Sequence, residues 1–160
     1  MPTKSQLEQA TTIIREHDLK ATPQRQNILA YLMSHHNHPT VEMIRDNLAK
    51  SNPNIGTATV YNALNSFVEL GLVIEIQNGD GSTHYDYFAK PHFHVICTNC
   101  GRIDDVDNDD FVKYEKALRK SAADETGYLT SGSHLEIYGI CPTCQKKLHL
   151  HMLDTDLTNN

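Results

Sequence analysis

Residues 92–105 have the sequence HFHVICTNCGRIDD, which places two histidines, a Cys-x-x-Cys pair and two carboxylates in one short stretch. On a β-strand, side chains two positions apart point to the same face, so His92 and His94 would point the same way. A hairpin through the cysteine pair would carry Asp104 or Asp105 back past the two imidazoles. The stretch therefore predicts two adjacent metal sites, one with sulfur ligands and one with nitrogen and oxygen ligands.

The four cysteines of the chain form two Cys-x-x-Cys pairs, Cys97/Cys100 and Cys141/Cys144. Four thiolates suit a tetrahedral Zn²⁺, and a site filled by protein ligands has no open position for catalysis, so we expect a structural zinc. The alternative is one or two redox disulfides of the thioredoxin type. The sequence disfavours them because neither pair obviously opens a helix after a strand.

The histidines and carboxylates predict a second site of different chemistry. Asp86 lies just upstream of His92 and His94, and such a mixed set suits Fe²⁺, Mn²⁺ or Zn²⁺, with the oxygen ligands favouring the first two. His38 precedes a predicted helix in the first half of the chain, so a ligand from there would join the two halves through the metal. A single histidine is more often a polar surface residue, and the clustering is what favours a site.

The composition of the chain limits the number of domains, the kinds of partner and the location that we expect. The chain has 160 residues, 39% of them hydrophobic, which fits one moderate domain or two small ones. The net charge of −6 argues against a general polyanion binder, but residues 1–84 hold six basic and eight acidic residues, which leaves DNA binding by this half possible. The sequence has no membrane-length apolar run, and Met1–Gln6 lacks the apolar stretch of a signal peptide. We therefore expect a cytoplasmic protein.

The first half predicts helices followed by a β-hairpin. Four amphipathic segments follow candidate caps at Ser5 (a capping box with Glu8), Thr22, Thr40 and Thr57. Strands at 72–76 and 83–88, joined by a Gly-rich turn, come next. This order is typical of a winged helix-turn-helix, with residues 57–70 as the recognition helix and the hairpin as the wing. A plain helical bundle is the alternative.

Exposed positions near the start of the recognition helix are the candidates for contacts to phosphates or base edges. These are Thr57, Thr59, Tyr61 and Asn62, with Arg25 as a nearby phosphate contact.

The second half predicts a small α/β domain in the order strand, strand, helix, strand, and its exposed apolar faces make dimerisation plausible. The fold class is therefore α+β. We expect a winged-helix DNA-binding domain at 1–84, a hinge at 85–91, a zinc-stapled dimerisation domain at 92–147 and a tail at 148–160.

Seven motifs together resemble the ferric-uptake-regulator family of metal-dependent repressors, and within it the peroxide-responsive branch, over about residues 7–147. They are Thr22-Pro23-Gln24-Arg25, His38-Pro39-Thr40, Ala58-Thr59-Val60-Tyr61-Asn62, Tyr85-Asp86-Tyr87, His92-Phe93-His94, Cys97-Thr98-Asn99-Cys100-Gly101 and Tyr138-Gly139-Ile140-Cys141-Pro142-Thr143-Cys144. The resemblance implies a homodimer whose metal-filled, closed form binds a palindromic operator and controls oxidative-stress and metal-homeostasis genes.

The resemblance also implies a regulatory site. Its ligands would be His38, Asp86, His92, His94 and Asp105. The two aspartates match the peroxide-responsive branch, whereas iron-sensing relatives tend to carry glutamate. By resemblance, Fe²⁺ at this site reacts with hydrogen peroxide and oxidises His38 or His92, which weakens the site and lifts repression. Mn²⁺ would support DNA binding without that chemistry. Gly56, and the absence of a basic residue at 63–66, depart from the family pattern and leave the operator sequence open.

Three other functions fit part of the pattern. A metalloenzyme would need an open coordination position, a substrate pocket and a placed acid or base, and the sequence gives no sign of the last two, so we expect no enzyme. An interaction module stapled by zinc would show no metal-dependent DNA binding. An iron, manganese or zinc uptake regulator of the same family would lack peroxide sensing.

Overall fold

The computed structural model describes residues 2–78, 81–88 and 90–150, and the chain divides into two units, Met1–Lys90 and Pro91–Asn160. The first unit contains four helices and then an antiparallel hairpin. Its elements are α1 (Lys4–Glu16), α2 (Pro23–Ser34), α3 (Val41–Ala49), α4 (Thr57–Glu69), β1 (Val73–Gln77) and β2 (Thr83–Tyr87). This is the element order of a winged helix, with α4 as the recognition helix and β1–β2 as the wing.

The helix starts agree with the sequence at two places and differ at two. The side chains of Thr22 and Thr40 cap α2 and α3 by accepting backbone N–H groups, as predicted. The capping box of α1 belongs to Thr3 and Gln6, so the prediction of a box beginning at Ser5 is wrong. The N-cap of α4 is Gly56, without a side-chain cap, because the backbone is already helical at Thr57.

A continuous apolar core holds the first unit together. Val60, Leu64 and Phe67 recur at helical spacing along one face of α4, and all three are completely buried. They join a cluster of buried side chains contributed by all four helices and both strands. Gly71, in the left-handed region at φ 69°, then turns the chain out of α4 towards β1.

The second unit is a three-stranded sheet with two helices. Its elements are β3 (Phe93–Cys97), β4 (Ile103–Val106), α5 (Phe111–Thr126), β5 (Glu136–Gly139) and α6 (Pro142–Lys147). The strand order is β4-β3-β5, with β4 antiparallel and β5 parallel to β3. The parallel pair requires a long crossover connection, which contains α5. The α+β fold predicted from the sequence is confirmed, and α6 is an addition to it.

The buried core of the second unit differs in kind from that of the first. Its buried cluster consists of Cys97, Cys141 and Cys144, with Ile140 packed against them. Large apolar side chains lie exposed on α5, on β5 and between them, at Tyr114, Leu118, Tyr128, Leu129, Ile137 and Tyr138. Among the described residues, no helix combines the length and the apolar character that a membrane crossing requires. Residues 151–160 of the predicted tail lie outside the described residues.

Candidate metal centres and DNA-binding surface

The four cysteines converge in the second unit, and we call this set the sulfur centre. Cys97 ends β3, Cys100 follows in the turn, Cys141 is the N-cap of α6 and Cys144 lies in its first turn. The four Sγ atoms all lie within 4.8 Å of one another. Gly101, at φ 72°, lets the chain reverse after the first pair, and its N–H donates to the Cys97 carbonyl at 2.9 Å.

Hydrogen-bond donors around the sulfur centre favour thiolates. The backbone N–H of Cys141 donates to Cys97 Sγ at 3.2 Å, and this bond is the largest of several contributions that together lower the pKa of the Cys97 thiol to about 6. The Asn99 side-chain amide donates to Cys144 Sγ at 3.2 Å. Four converging sulfur atoms with such donors suit a tetrahedral Zn²⁺.

The position of the second cysteine pair differs from the prediction. The pair Cys141/Cys144 does open a helix after a strand, namely α6 after β5. A redox pair, however, requires only two thiols, whereas all four sulfur atoms occur here in one cluster. The clustering, and not the helix position, favours the metal.

Three nitrogen and oxygen donors also converge in the second unit. His92 Nε2 and His94 Nε2 lie 3.0 Å apart, and Asp105 Oδ1 lies 3.6 Å from the first and 3.4 Å from the second. The strand register explains this arrangement, because Asp105 on β4 stands directly opposite His94 on β3. Two imidazoles and one carboxylate aimed at a common point form an incomplete ligand set for Fe²⁺ or Mn²⁺.

The other two predicted ligands lie in the first unit. His38 and Asp86 are each only 3% exposed. Asp86 lies on β2, and the neighbouring Tyr85 N–H donates to the Pro39 carbonyl at 3.0 Å, which joins this strand to the segment that carries His38. Each unit therefore holds its own part of the predicted regulatory site.

His134 is a residue near this set that the sequence did not suggest. Its Nε2 lies 3.4 Å from His94 Nδ1, on the side of the His94 ring away from His92 and Asp105. Its Nδ1 lies 3.7 Å from a carboxylate oxygen of Glu136. Partners at the second ring nitrogen commonly orient histidine ligands. The parallel pairing of β5 with β3 brings these residues together, and one sequence does not reveal that pairing.

The predicted DNA-contacting residues divide into two groups. Thr57, Thr59, Tyr61 and Asn62 are exposed at the start of α4. Arg25 instead donates to the Lys20 carbonyl at 3.1 Å and to Ser66 Oγ at 3.4 Å, which places its guanidinium beside α4.

Arg45 is a second residue that the sequence did not suggest. It lies on α3, and its guanidinium is 3.4 Å from Thr57 Oγ1, which places this group, paired with Asp46, at the start of α4. Its position on the helix before the recognition helix could have suggested a DNA contact. The adjacent Asp46 obscured this in the sequence, because the two side chains together carry no net charge.

Comparison with known proteins gives the family. The family model for the ferric uptake regulator family matches residues 16–138. The chain belongs to this family. It is 38% identical over 142 residues to the peroxide-responsive repressor PerR of Staphylococcus aureus, covering 89% of this chain and 93% of that protein. The PerR of Staphylococcus saprophyticus is 39% identical over the same length, with the same coverage.

The fold matches family structures as well. The crystal structure of the Campylobacter jejuni peroxide stress regulator has a TM-score of 0.67 at 34% identity, covering 83% of this chain and 97% of that one. Membership places the chain among transcriptional regulators. The sulfur centre suits a structural Zn²⁺, and the histidine and aspartate sets suit a regulatory Fe²⁺ or Mn²⁺.

Proposed function

We propose that this protein is a cytoplasmic, metal-dependent repressor that senses hydrogen peroxide and controls oxidative-stress and metal-homeostasis genes. The similarity to peroxide-responsive repressors over most of the chain supports the sensing role. The observation that carries the proposal is the convergence of His92, His94 and Asp105 on one point. This set lacks the remaining ligands of a closed site, and the family's regulatory role requires an ion that can be gained and lost.

His38 and Asp86 complete the proposed regulatory site. An ion bound by ligands from both units stabilises the arrangement in which all five ligands reach it, and it shifts the population towards that arrangement by its differential affinity. A coupling of about 1–3 kcal/mol changes DNA affinity about five- to 150-fold. The ion at this site is Fe²⁺ or Mn²⁺, whereas the Zn²⁺ of the sulfur centre maintains the fold of the second unit.

Peroxide sensing is assigned to the histidine ligands. Bound Fe²⁺ supplies the redox chemistry that activates hydrogen peroxide beside them. In the net reaction, one oxygen atom of the peroxide is added to an imidazole ring and the other leaves as water. His38 and His92 are the proposed targets. The oxidised ring is a poorer ligand, so the ion is lost and the DNA is released.

A homodimer follows from the exposed surface of the second unit. The strand β5 lies at the edge of its sheet and exposes Ile137 and Tyr138, which are 45% and 61% exposed. Such apolar edges commonly pair with a second copy. A two-fold dimer presents two α4 helices, so the proposed operator is palindromic.

The proposed DNA contacts centre on the start of α4. The exposed side chains of Thr57, Thr59, Tyr61 and Asn62 face solvent there, and no side chain caps the helix at Gly56, which leaves its N-terminus open to a phosphate. Arg25 and Arg45 supply nearby positive charge for phosphate contacts.

The test is mass spectrometry of the zinc-containing protein loaded with Fe²⁺ and exposed briefly to hydrogen peroxide. We expect the mass of one added oxygen on the peptide carrying His38 or His92. The same protein loaded with Mn²⁺ is the control and should stay unmodified. If the Fe²⁺-loaded protein also stays unmodified while it retains the ion, the chain is an iron, manganese or zinc uptake regulator without peroxide sensing.

A further inference from the structure

His38 has a backbone conformation that its surroundings must maintain. Its φ of 45° lies in the left-handed region, which residues other than glycine seldom adopt. Such a conformation persists only where neighbouring groups hold it in place. The backbone conformation of His38 sets the direction of its Cα–Cβ bond. The contacts that hold this conformation therefore also help to orient the His38 imidazole.

His84 on β2 provides one of these fixing contacts. Its Nδ1 lies 2.5 Å from the carbonyl oxygen of His38. Since a carbonyl only accepts hydrogen bonds, Nδ1 carries the proton and donates. The backbone N–H of Tyr85 donates to the Pro39 carbonyl at 3.0 Å. Two successive residues of β2 thus bind two successive carbonyls of the His38 segment.

The second nitrogen of His84 faces the wing turn. Its Nε2 lies 2.9 Å from Ser82 Oγ and 3.5 Å from Asn78 Nδ2. In a neutral imidazole whose Nδ1 donates, Nε2 accepts, and a hydroxyl and an amide NH₂ are suitable donors. The two sets of partners therefore agree on one tautomer of His84.

The two residues that His84 contacts at Nε2 flank the end of the wing. The Asn78 N–H donates to the Ser82 carbonyl at 2.9 Å, and the Gly81 N–H donates to the Asn78 carbonyl at 3.0 Å. These bonds close the turn between β1 and β2. A single imidazole thus connects the closure of the wing turn to the backbone of His38.

We propose that His84 is a positioning residue that fixes the backbone of the regulatory ligand His38 and couples it to the wing turn. His84 acts through the His38 carbonyl and not as a metal ligand. In this proposal DNA contact shifts the wing turn, which moves His84 and with it the direction of the His38 imidazole. This inference deepens the proposed function and rests on it, because it requires His38 to bind the regulatory ion.

Substitutions at His84 and Ser82 separate the two ends of this link. His84→Leu has a carbon where Nδ1 stood and removes both hydrogen bonds. His84→Asn places its amide nitrogen where Nδ1 stood, so it can still donate to the His38 carbonyl but does not reach Ser82. Ser82→Ala leaves the bond to His38 intact and removes the hydroxyl at the wing.

The first measurement is Mn²⁺ affinity of the zinc-containing protein, read from the electron paramagnetic resonance signal of free Mn²⁺. Loss of a partner that orients a ligand commonly weakens metal binding about 10- to 100-fold. We expect His84→Leu to weaken binding at least about tenfold and His84→Asn to restore it to within about twofold of wild type. Equal affinity of His84→Leu and wild type would overturn the proposal, and so would failure of His84→Asn to restore binding.

The second measurement tests the coupling to the wing. Mn²⁺ affinity is measured with and without a DNA duplex selected from a random pool by the Mn²⁺-loaded wild-type protein. The ratio of the two affinities is the coupling factor, which is reciprocal between metal and DNA. We expect Ser82→Ala and His84→Asn to lower this factor while the affinity without DNA stays near wild type. An unchanged factor in both variants would overturn the link to the wing.

His38→Ala distinguishes failure of the regulatory site from failure of the proposed role of His84. If wild type and His38→Ala bind Mn²⁺ equally, His38 is not a ligand, and the proposed regulatory site itself fails. If His38→Ala loses binding while His84→Leu does not, the regulatory site stands and the role of His84 fails. Zinc content and the thermal unfolding midpoint of each variant confirm that the protein compared is folded.

Discussion

The two units of this protein are stabilised in different ways. In the first unit, apolar side chains from four helices and two strands form one buried cluster. In the second unit, the buried cluster consists of three cysteines beside Ile140, while large apolar side chains lie exposed on α5 and β5. The first unit resembles an ordinary small domain, whose stability comes from apolar burial. We expect the second to depend on the ion of the sulfur centre and on a second copy that covers its exposed apolar surface.

This difference separates the two metal centres by task. The sulfur centre forms the buried cluster of the second unit, so we expect its ion to stay bound for this unit to fold. The histidine and aspartate set lies outside the cysteine cluster, and we expect it to lose its ion without unfolding the chain. A sensor needs both properties, a permanent ion for structure and an exchangeable ion for signalling.

The largest expected effect is loss of the second unit without loss of the first. Cys141→Ser removes one thiolate from the sulfur centre, and structural zinc contributes roughly 10–16 kcal/mol in zinc-finger peptides. We expect hydrogen exchange to show protection lost throughout residues 91–150 and retained in α1 to α4. Thr143→Ser, between the same two cysteines, is the matched control and should keep its zinc. Uniform loss of protection in both units would show that the first unit also depends on the zinc, against this expectation.

A core substitution in the first unit should destabilise that unit and leave the zinc of the second unit bound. Phe67→Ala removes a completely buried ring, and such changes cost about 3–5 kcal/mol. We expect a lower unfolding midpoint for the first unit, measured by circular dichroism, with full zinc content. Tyr61→Ala, on the exposed side of the same helix, should change stability by less than about 0.5 kcal/mol. Loss of zinc in Phe67→Ala would show that the units do not fold independently.

We expect His134 to affect the binding of the exchangeable ion and to leave zinc binding and stability unchanged. His134→Ala removes the group beside His94 Nδ1, and we expect Mn²⁺ affinity to fall about tenfold. Zinc content and unfolding midpoint should match wild type. His36→Ala, at an exposed position of the first unit, is the control for loss of a histidine. Titration calorimetry with Mn²⁺ measures the difference, and equal affinity of the two variants would remove His134 from the site.

The smallest expected effect concerns the start of α1. Thr3→Ala removes the side chain that caps this helix and should cost about 1 kcal/mol of first-unit stability. Ser5→Ala should be neutral within about 0.5 kcal/mol, since Ser5 is an exposed residue inside the helix. Chemical denaturation of the two variants measures this, and a larger cost for Ser5→Ala would support the capping box first expected from the sequence.

The sequence predicted the features that depend on local patterns. Helical spacing gave α1 to α4, threonines marked the starts of α2 and α3, and the Cys-x-x-Cys pairs predicted the sulfur centre. The position of Asp105 on the strand opposite His92 and His94 also depends on a local pattern, because a short hairpin joins the two strands.

Features that depend on contacts between distant segments could not be predicted in this way. The position of His134 beside His94 requires the parallel pairing of β5 with β3, and that of Arg45 beside Thr57 requires the packing of α3 near α4. His84 reaches the His38 carbonyl across 46 positions of the chain. The capping box at Thr3 was missed for a different reason, because Thr3 and Ser5 both offer a hydroxyl and only the backbone conformation decides between them.

The most direct test of the exchangeable centre is Mn²⁺-dependent DNA binding by Asp105→Ala compared with Asp104→Ala. Asp105 faces His92 and His94, whereas Asp104, next to it on β4, pairs with Arg102 at 2.7 Å. Binding of the selected duplex is measured by fluorescence anisotropy while Mn²⁺ is added to the zinc-containing proteins. We expect Asp105→Ala to lose the metal-dependent gain in DNA affinity and keep its zinc, while Asp104→Ala behaves as wild type. An Asp105→Ala protein that still gains DNA affinity with Mn²⁺ would contradict the assignment of this site as the switch.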